Sequence, residues 1–309
     1  MKSWWISLGL LIVSATSVGA QEARSILFIG NSFTYGHGSA VRYWRPDTVT
    51  DLNREGVGGV PALFKAFTTQ VGVPYDVYLE TRGGSSIDFH LQEKRAEITR
   101  QPWDVVVAHG FSTLDPQNPG DPTALLRSGR NMAELLVARN PDVDFYVTAT
   151  WSRPDLTYQD GSPWSGKSID TMGIDVNAAY SRLAAEVDGV KGVNPVGLAF
   201  NRAMSAGVAD PNPYDGIAVD QVDLYTFDHY HASSFGYYLE ALVVFGNVTG
   251  VDPLVLGSSE CSGFELGMSG AQAEALQQVA HDELVAAGVV LKKPAGLTMP
   301  ARASSCATP

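Results

Sequence analysis

The chain has 309 residues, 45% of them hydrophobic and 17% charged, which supplies a packed core and excludes extensive disorder. Its formal net charge of −12 opposes the phosphates of nucleic acid and the headgroups of anionic lipid, so neither is an expected partner. Its two cysteines, Cys261 and Cys306, form no CxxC pair and join no Cys/His cluster at zinc spacing, so the sequence requires no metal and no cofactor.

At the start, Lys2 is followed by WWISLGLLIVSA and then SVGA before Gln21, the charged, apolar, small-residue order of a secretory signal peptide over residues 1–20. The apolar stretch is shorter than the ~20 residues needed to span a bilayer. Cleavage after Ala20 would deliver a secreted or periplasmic protein with no stable membrane span. In such an oxidising space, Cys261 and Cys306 are expected to bridge and tie down an irregular tail at 294–309.

Between these ends, residues 21–293 read as one catalytic domain. Apolar runs rich in β-branched residues occur at 25–30 (SILFIG), 75–81 (YDVYLET), 103–109 (WDVVVAH), 143–150 (VDFYVTAT) and 193–199 (VNPVGLA). Apolar residues three and four apart predict helices over 60–70, 87–99, 122–139 and 174–187, with two more at 234–248 and 269–288. In the last of these, Ser269 is a candidate N-cap and Gly288 a stop. Strands alternating with helices predict a parallel sheet of five strands in an α/β sandwich, because doubly covered parallel strands read as continuous apolar runs. Long connections at 36–59, 110–121, 151–168 and 207–227 are rich in Pro, Gly, Asp and aromatics, and loops of this length are commonly functional.

Ligands of open parallel sheets bind outside the carboxyl ends of the strands. The first run ends in GNSFT, so Ser32 is either the polar end of a strand or a nucleophile. The loops GGSS (83–86), GFST (110–113) and WSRP (151–154) should share its rim. A serine needs a base, and a carboxylate usually fixes the base's tautomer. Of the six histidines, His281 and His90 lie in helical patterns and read as structural. In FDHYHASSFGYYLEA, Asp228 and His231 stand three apart just before a helix, a spacing that lets one loop bring carboxylate and imidazole together. His229 is the rival base and has no upstream carboxylate at that spacing.

With GNSFT at 30–34, RGGSS at 82–86, WDVVVAHGFS at 103–112 and DHYHASSFGYYLEA at 228–241, the sequence resembles the SGNH (GDSL-like) hydrolases over about residues 25–288. The resemblance implies a flavodoxin-like three-layer α/β/α sandwich, with Ser32 as nucleophile, His231 as base and Asp228 as the group that orients it. It also implies oxyanion donors at the backbone N–H of Ser32 and Gly84, with Gly83 next in line. The family's third donor is an asparagine. Here Ser112 stands in its place, and His109 falls where related chains often carry glutamine, so either is a candidate to contact substrate or oxyanion. No GxSxG elbow occurs.

These residues predict an exported serine esterase acting on a small-molecule or glycan ester. The relatives, together with Trp151, Tyr158 and Trp164 in the loops, suggest an O-acylated carbohydrate. Aromatic rings stack equally on apolar acyl chains, so lipid, short-chain and polymeric esters stay open. A non-catalytic binding protein on the same fold is the reading of another class, motivated by the absent asparagine. The run GSPWSGKS (161–168) matches the phosphate-cradling GxxxxGK[ST] pattern, but it does not leave a strand directly, and Pro163 and Trp164 fall inside the cradle.

Overall fold

The computed structural model describes residues 22–294; the expected signal peptide and Cys306 lie outside the described residues. Six strands, β1 (Arg24–Gly30), β2 (Thr50–Asp51), β3 (Tyr75–Thr81), β4 (Val105–Ala108), β5 (Asp144–Thr148) and β6 (Val190–Asn194), form one sheet in the order β2-β3-β1-β4-β5-β6. Every neighbouring pair is parallel. The helices are α1 (Gly59–Gln70), α2 (Ile87–Glu93), α3 (Arg95–Ile98), α4 (Thr123–Arg139), α5 (Pro154–Thr157), α6 (Asp170–Glu186), α7 (Val196–Ser205), α8 (Ser234–Thr249), α9 (Cys261–Glu265) and α10 (Gly270–Ala286).

Alternation along the strands divides the core into two layers. Ile26 and Phe28 of β1 and Val105 and Val107 of β4 pack toward α1, α7, α8 and α10. Leu27 and Ile29, with Val106 and Ala108, pack toward α4 and α6. Both faces of the sheet are therefore dry, and this is the three-layer α/β/α sandwich expected. No described helix is long and apolar enough to cross a membrane.

Four details differ from the sequence reading. The sheet has six strands rather than five, because two residues of the long 36–59 connection pair with the edge of β3 through Thr50 and Asp51. Without that strand, the order is the one of flavodoxin-like sheets. Of the run at 193–199 only Val193 and Asn194 are strand: β6 begins earlier, at Val190, and stops at Asn194, Pro195 cannot donate to a ladder, and α7 starts at Val196. The long helix expected over 87–99 breaks at Lys94, whose φ of −123° leaves the helical region. A short helix, α9, stands at Cys261–Glu265, where the sequence suggested no element.

The start of α10 follows its sequence signal: Ser269 and Gln272 form a reciprocal capping box. Gly288, at φ +82°, follows the helix end.

Candidate active site

β1 lies between β3 and β4, at the point where the sheet's connections change side, and its carboxyl end opens the crevice. Gly30 closes the strand because nothing larger fits: a Cβ there would lie 2.0 Å from Thr34 Oγ1 and 2.7 Å from His109 Nε2. The chain then turns, with Thr34 N–H and Tyr35 N–H donating to Asn31 O at 3.1 and 3.2 Å. Asn31 Nδ2 donates to Ser85 O at 3.0 Å and Gly110 O at 3.1 Å, so one side chain ties together the loops that leave β1, β3 and β4. Ser32 sits on this knot and is only 7% exposed. The Tyr237 hydroxyl, from α8, lies 3.3 Å from Ser32 O and 3.2 Å from His37 O, bracing the turn from below.

The second half of the site is the loop that leads into α8, anchored where Ser233 Oγ caps the helix by accepting from Phe235 and Gly236 N–H. Asp228 Oδ1 accepts from Tyr230 N–H at 3.0 Å, His231 N–H at 2.9 Å and Thr226 Oγ1 at 2.7 Å. Its other oxygen receives His231 Nδ1–H at 2.6 Å. Burial alone would raise the Asp228 carboxyl, but these hydrogen bonds outweigh it and hold the group well below the usual carboxylate range. Burial pushes the His231 imidazole down, and Asp228 only partly offsets this.

With Nδ1 committed to Asp228, the free ring nitrogen of His231 is Nε2, which is buried without a hydrogen-bond partner. The ring packs against the segment that follows Ser32: its centroid is 5.6 Å from that of Phe33 and 4.5 Å from that of His37. An imidazole held this way can take a proton at Nε2. His229 diverges from His231: it adopts φ +51° and packs against Tyr214 with ring centroids 4.2 Å apart.

Across the crevice, Gly84 takes φ +67° with nothing within 4 Å of where a Cβ would be, so the turn presents bare backbone. Among the described residues, no acceptor is hydrogen-bonded to the N–H of Ser32 or of Gly84. Gly83 faces the Tyr35 hydroxyl. Ser112 is buried at the same rim, where its Oγ accepts from Arg153 Nη1 at 3.3 Å. A cavity of about 230 Å³ opens beside it, lined by Ser86, Gly110, Phe111, Leu114 and Leu125 among others.

Three residues expected to contact substrate are instead enclosed. His109 is buried between Thr34 Oγ1, 2.7 Å from Nε2, and Gly110 O, 3.0 Å from Nδ1; burial lowers its imidazole to about 4, which keeps it neutral. Trp151 is stacked between Phe33, at 4.2 Å, and Phe200, at 4.9 Å, and donates to Tyr230 O. Trp164 is buried with its Nε1–H on Asp175, so the GSPWSGKS run is a loop filled by an indole and not a phosphate cradle. Only Tyr158 keeps an exposed ring, packed edge-on against Tyr214.

Arg153 carries no signal in the sequence. It lies in a strand-end loop, but a lone arginine in WSRP makes no motif; its role becomes visible only when Ser112, Asp155 and Tyr230 converge on it. Among the described residues, no group of three His, Cys, Asp or Glu side chains gathers to hold a metal.

No family model matches the chain, and no curated protein matches it. Its fold is the SGNH-hydrolase fold. A proposed SGNH hydrolase from Slackia heliotrinireducens is similar to it at TM-score 0.50 and 24% identity, over 74% of this chain and 100% of the other. A proposed GDSL-like lipase from Parabacteroides merdae reaches TM-score 0.52 at 16% identity, over 74% and 96% of the two chains. A DUF4886 family protein from Bacteroides uniformis, at TM-score 0.50 and 16% identity, covers 90% of this chain and 100% of its own.

Proposed function

We propose that the protein is an exported serine esterase. Ser32 Oγ attacks the ester carbonyl while His231 Nε2 takes its proton, and His231 then returns that proton to the departing alcohol. Asp228 keeps the hydrogen on Nδ1 and stabilises the imidazolium. The N–H groups of Ser32 and Gly84, with Gly83 adjoining and the Ser112 hydroxyl at the rim, receive the negative charge of the tetrahedral intermediate. Water then enters and hydrolyses the acyl-enzyme by the same proton path.

The observation that carries this reading is the state of His231: one nitrogen is fixed by Asp228 at 2.6 Å, and the other is buried and unpartnered beside the turn that holds Ser32. The substrate class is a carboxylic ester, either a small molecule or an O-acylated glycan. With Trp151 and Trp164 enclosed, an aromatic platform for sugar is reduced to Tyr158, so the proposal rests on the ester rather than on the sugar.

Hydrolysis of p-nitrophenyl esters of increasing acyl length, alongside acetylated glycans, tests it with Ser32→Ala as control. Loss of turnover in the variant is expected. Equal rates in both proteins would leave a binding protein on a hydrolase fold.

A further inference from the structure

Beneath the turn that carries Gly83 and Gly84 lies a second serine–histidine–carboxylate chain, separate from Ser32 and His231. His90, on α2, sets its Nδ1 against Glu80 Oε2 on β3 and its Nε2 at 2.9 Å from Ser85 Oγ. His90 and Glu80 are both 0% exposed and Ser85 is 5% exposed, so no substrate reaches them.

Hydrogen counting fixes the direction of this chain. The Ser85 hydroxyl has one hydrogen and donates it to Arg82 O at 2.7 Å. Its oxygen therefore accepts from His90, and Nε2 carries a hydrogen. In a nucleophilic triad the serine would donate to the imidazole; here it receives, and its own hydrogen is spent on backbone. The other end of the chain is equally committed. Glu80 Oε1 accepts from Asn53 Nδ2 at 3.1 Å and has Lys94 Nζ at 4.0 Å. Asn53 also donates to Thr81 O at 2.8 Å.

What this chain grips is the turn between β3 and α2. Arg82 N–H donates to Gly30 O at 3.0 Å and Ser85 N–H to Arg82 O at 3.2 Å. Asn31 Nδ2 holds Ser85 O from the β1 side. Ser85 is thus held through its carbonyl by the Ser32 turn and through its hydroxyl by His90. Gly84, between these anchors, has no side chain to fix it and a left-handed backbone with open space around it.

We propose that His90 is a positioning residue: acting through Ser85, it fixes the Arg82–Ser85 turn so that Gly84 N–H is aimed into the crevice before substrate arrives. The proposal rests on the esterase reading for its effect on rate, and on the hydrogen bonds alone for its effect on the turn. Preorganised donors are worth more than donors that must be ordered during reaction, and losing one costs about a hundredfold or more.

Ser85→Ala removes the grip while leaving the Glu80–His90 pair intact. It is expected to lower kcat about tenfold to a hundredfold with KM within about twofold of wild type. His90→Gln, whose amide can still donate to Ser85, should recover part of the rate lost in His90→Leu. If His90→Leu fails to fold because Glu80 loses its partner, Ser85→Ala and His90→Gln still decide the matter. Amide hydrogen exchange on the full chain supplies a readout without turnover: Arg82 N–H, which pins the turn to Gly30 O, should exchange faster in Ser85→Ala while the α4 amides stay unchanged. Wild-type kcat together with wild-type Arg82 exchange in Ser85→Ala would overturn the proposal. Should wild type and Ser32→Ala hydrolyse esters alike, the esterase reading fails, and the exchange measurement still decides whether His90 fixes the turn.

Discussion

The guanidinium carbon of Arg153 lies 3.5 Å from the centroid of the Tyr230 ring, in a cation–π contact one residue from His231. Asp155 holds the same guanidinium by a two-pronged ion pair, through Nε at 3.0 Å and Nη2 at 2.5 Å, leaving Nη1 for Ser112. The positive charge also helps to push the His231 imidazole down. Arg153→Met should therefore move the acid limb of the kcat/KM profile to higher pH and lower kcat about tenfold, as Ser112 loses a charge-assisted partner. Arg153→Lys keeps the charge without the fork, so its acid limb should stay near that of wild type while kcat still falls. Parallel pH–rate profiles check both; an unmoved limb in Arg153→Met would count against this electrostatic role.

For His231 the sign follows from its surroundings. Burial lowers its affinity for a proton, and Asp228 restores only part of it, so the neutral base persists below the ordinary histidine value of about 6.5. Activity should fall on acidification with a midpoint below that value. Asp228→Asn removes the acceptor that keeps hydrogen on Nδ1 and should cost about ten-thousandfold in kcat at neutral pH. A profile from pH 4 to 9 for both proteins tests this; loss of activity already above 6.5 in wild type would remove His231 as the base.

Much of this site was legible because its signals are local. Asp228 and His231 come from one loop and meet through a three-residue spacing that a reader can count. Ser32 follows an apolar strand, and the strand-end rule gathers GGSS, GFST and WSRP around it. The misreadings have a common cause in long-range packing. Trp151 and Trp164 sit in polar, proline-containing loops, yet partners as distant in sequence as Phe200 enclose Trp151. His90 is structural, as its place at a helix start suggests, but nothing in its neighbourhood announces its partner Glu80 near the end of a strand. Strand β6 is legible only at its end, because Lys191 and Gly192 interrupt the apolar pattern at its start, and Pro195 then hides a helix inside an apolar run.

His109 carries a prediction about stability. Its imidazole is buried neutral, with an affinity lowered to about 4 against about 6.5 in the unfolded chain. The unfolded state therefore binds the proton first. The contribution of this group is complete above pH 6.5 and is lost progressively as pH falls toward 4, on the order of 3 kcal/mol in all. Urea denaturation between pH 4 and 7 should show the slope, and His109→Gln, which cannot titrate, should flatten it. Equal slopes in the two proteins would show that another group is responsible.

Trp151 separates packing from recognition. Its indole is fully enclosed, face to face with Phe33 at 4.2 Å and Phe200 at 4.9 Å, so it supports the Ser32 turn from inside and presents no face to a ligand. Trp151→Ala should cost about 3–5 kcal/mol of stability through the cavity it leaves. In a chain of this size that lowers Tm by roughly 10 °C. Trp151→Phe keeps an aromatic layer between the two rings, loses the hydrogen bond to Tyr230 O and part of the indole's packing, and should leave KM within about twofold of wild type. Calorimetry and ester kinetics on the two variants give the answer. A raised KM in Trp151→Phe with unchanged Tm would mean that the indole meets substrate, which a ring closed on both faces cannot do without opening the core beneath Ser32.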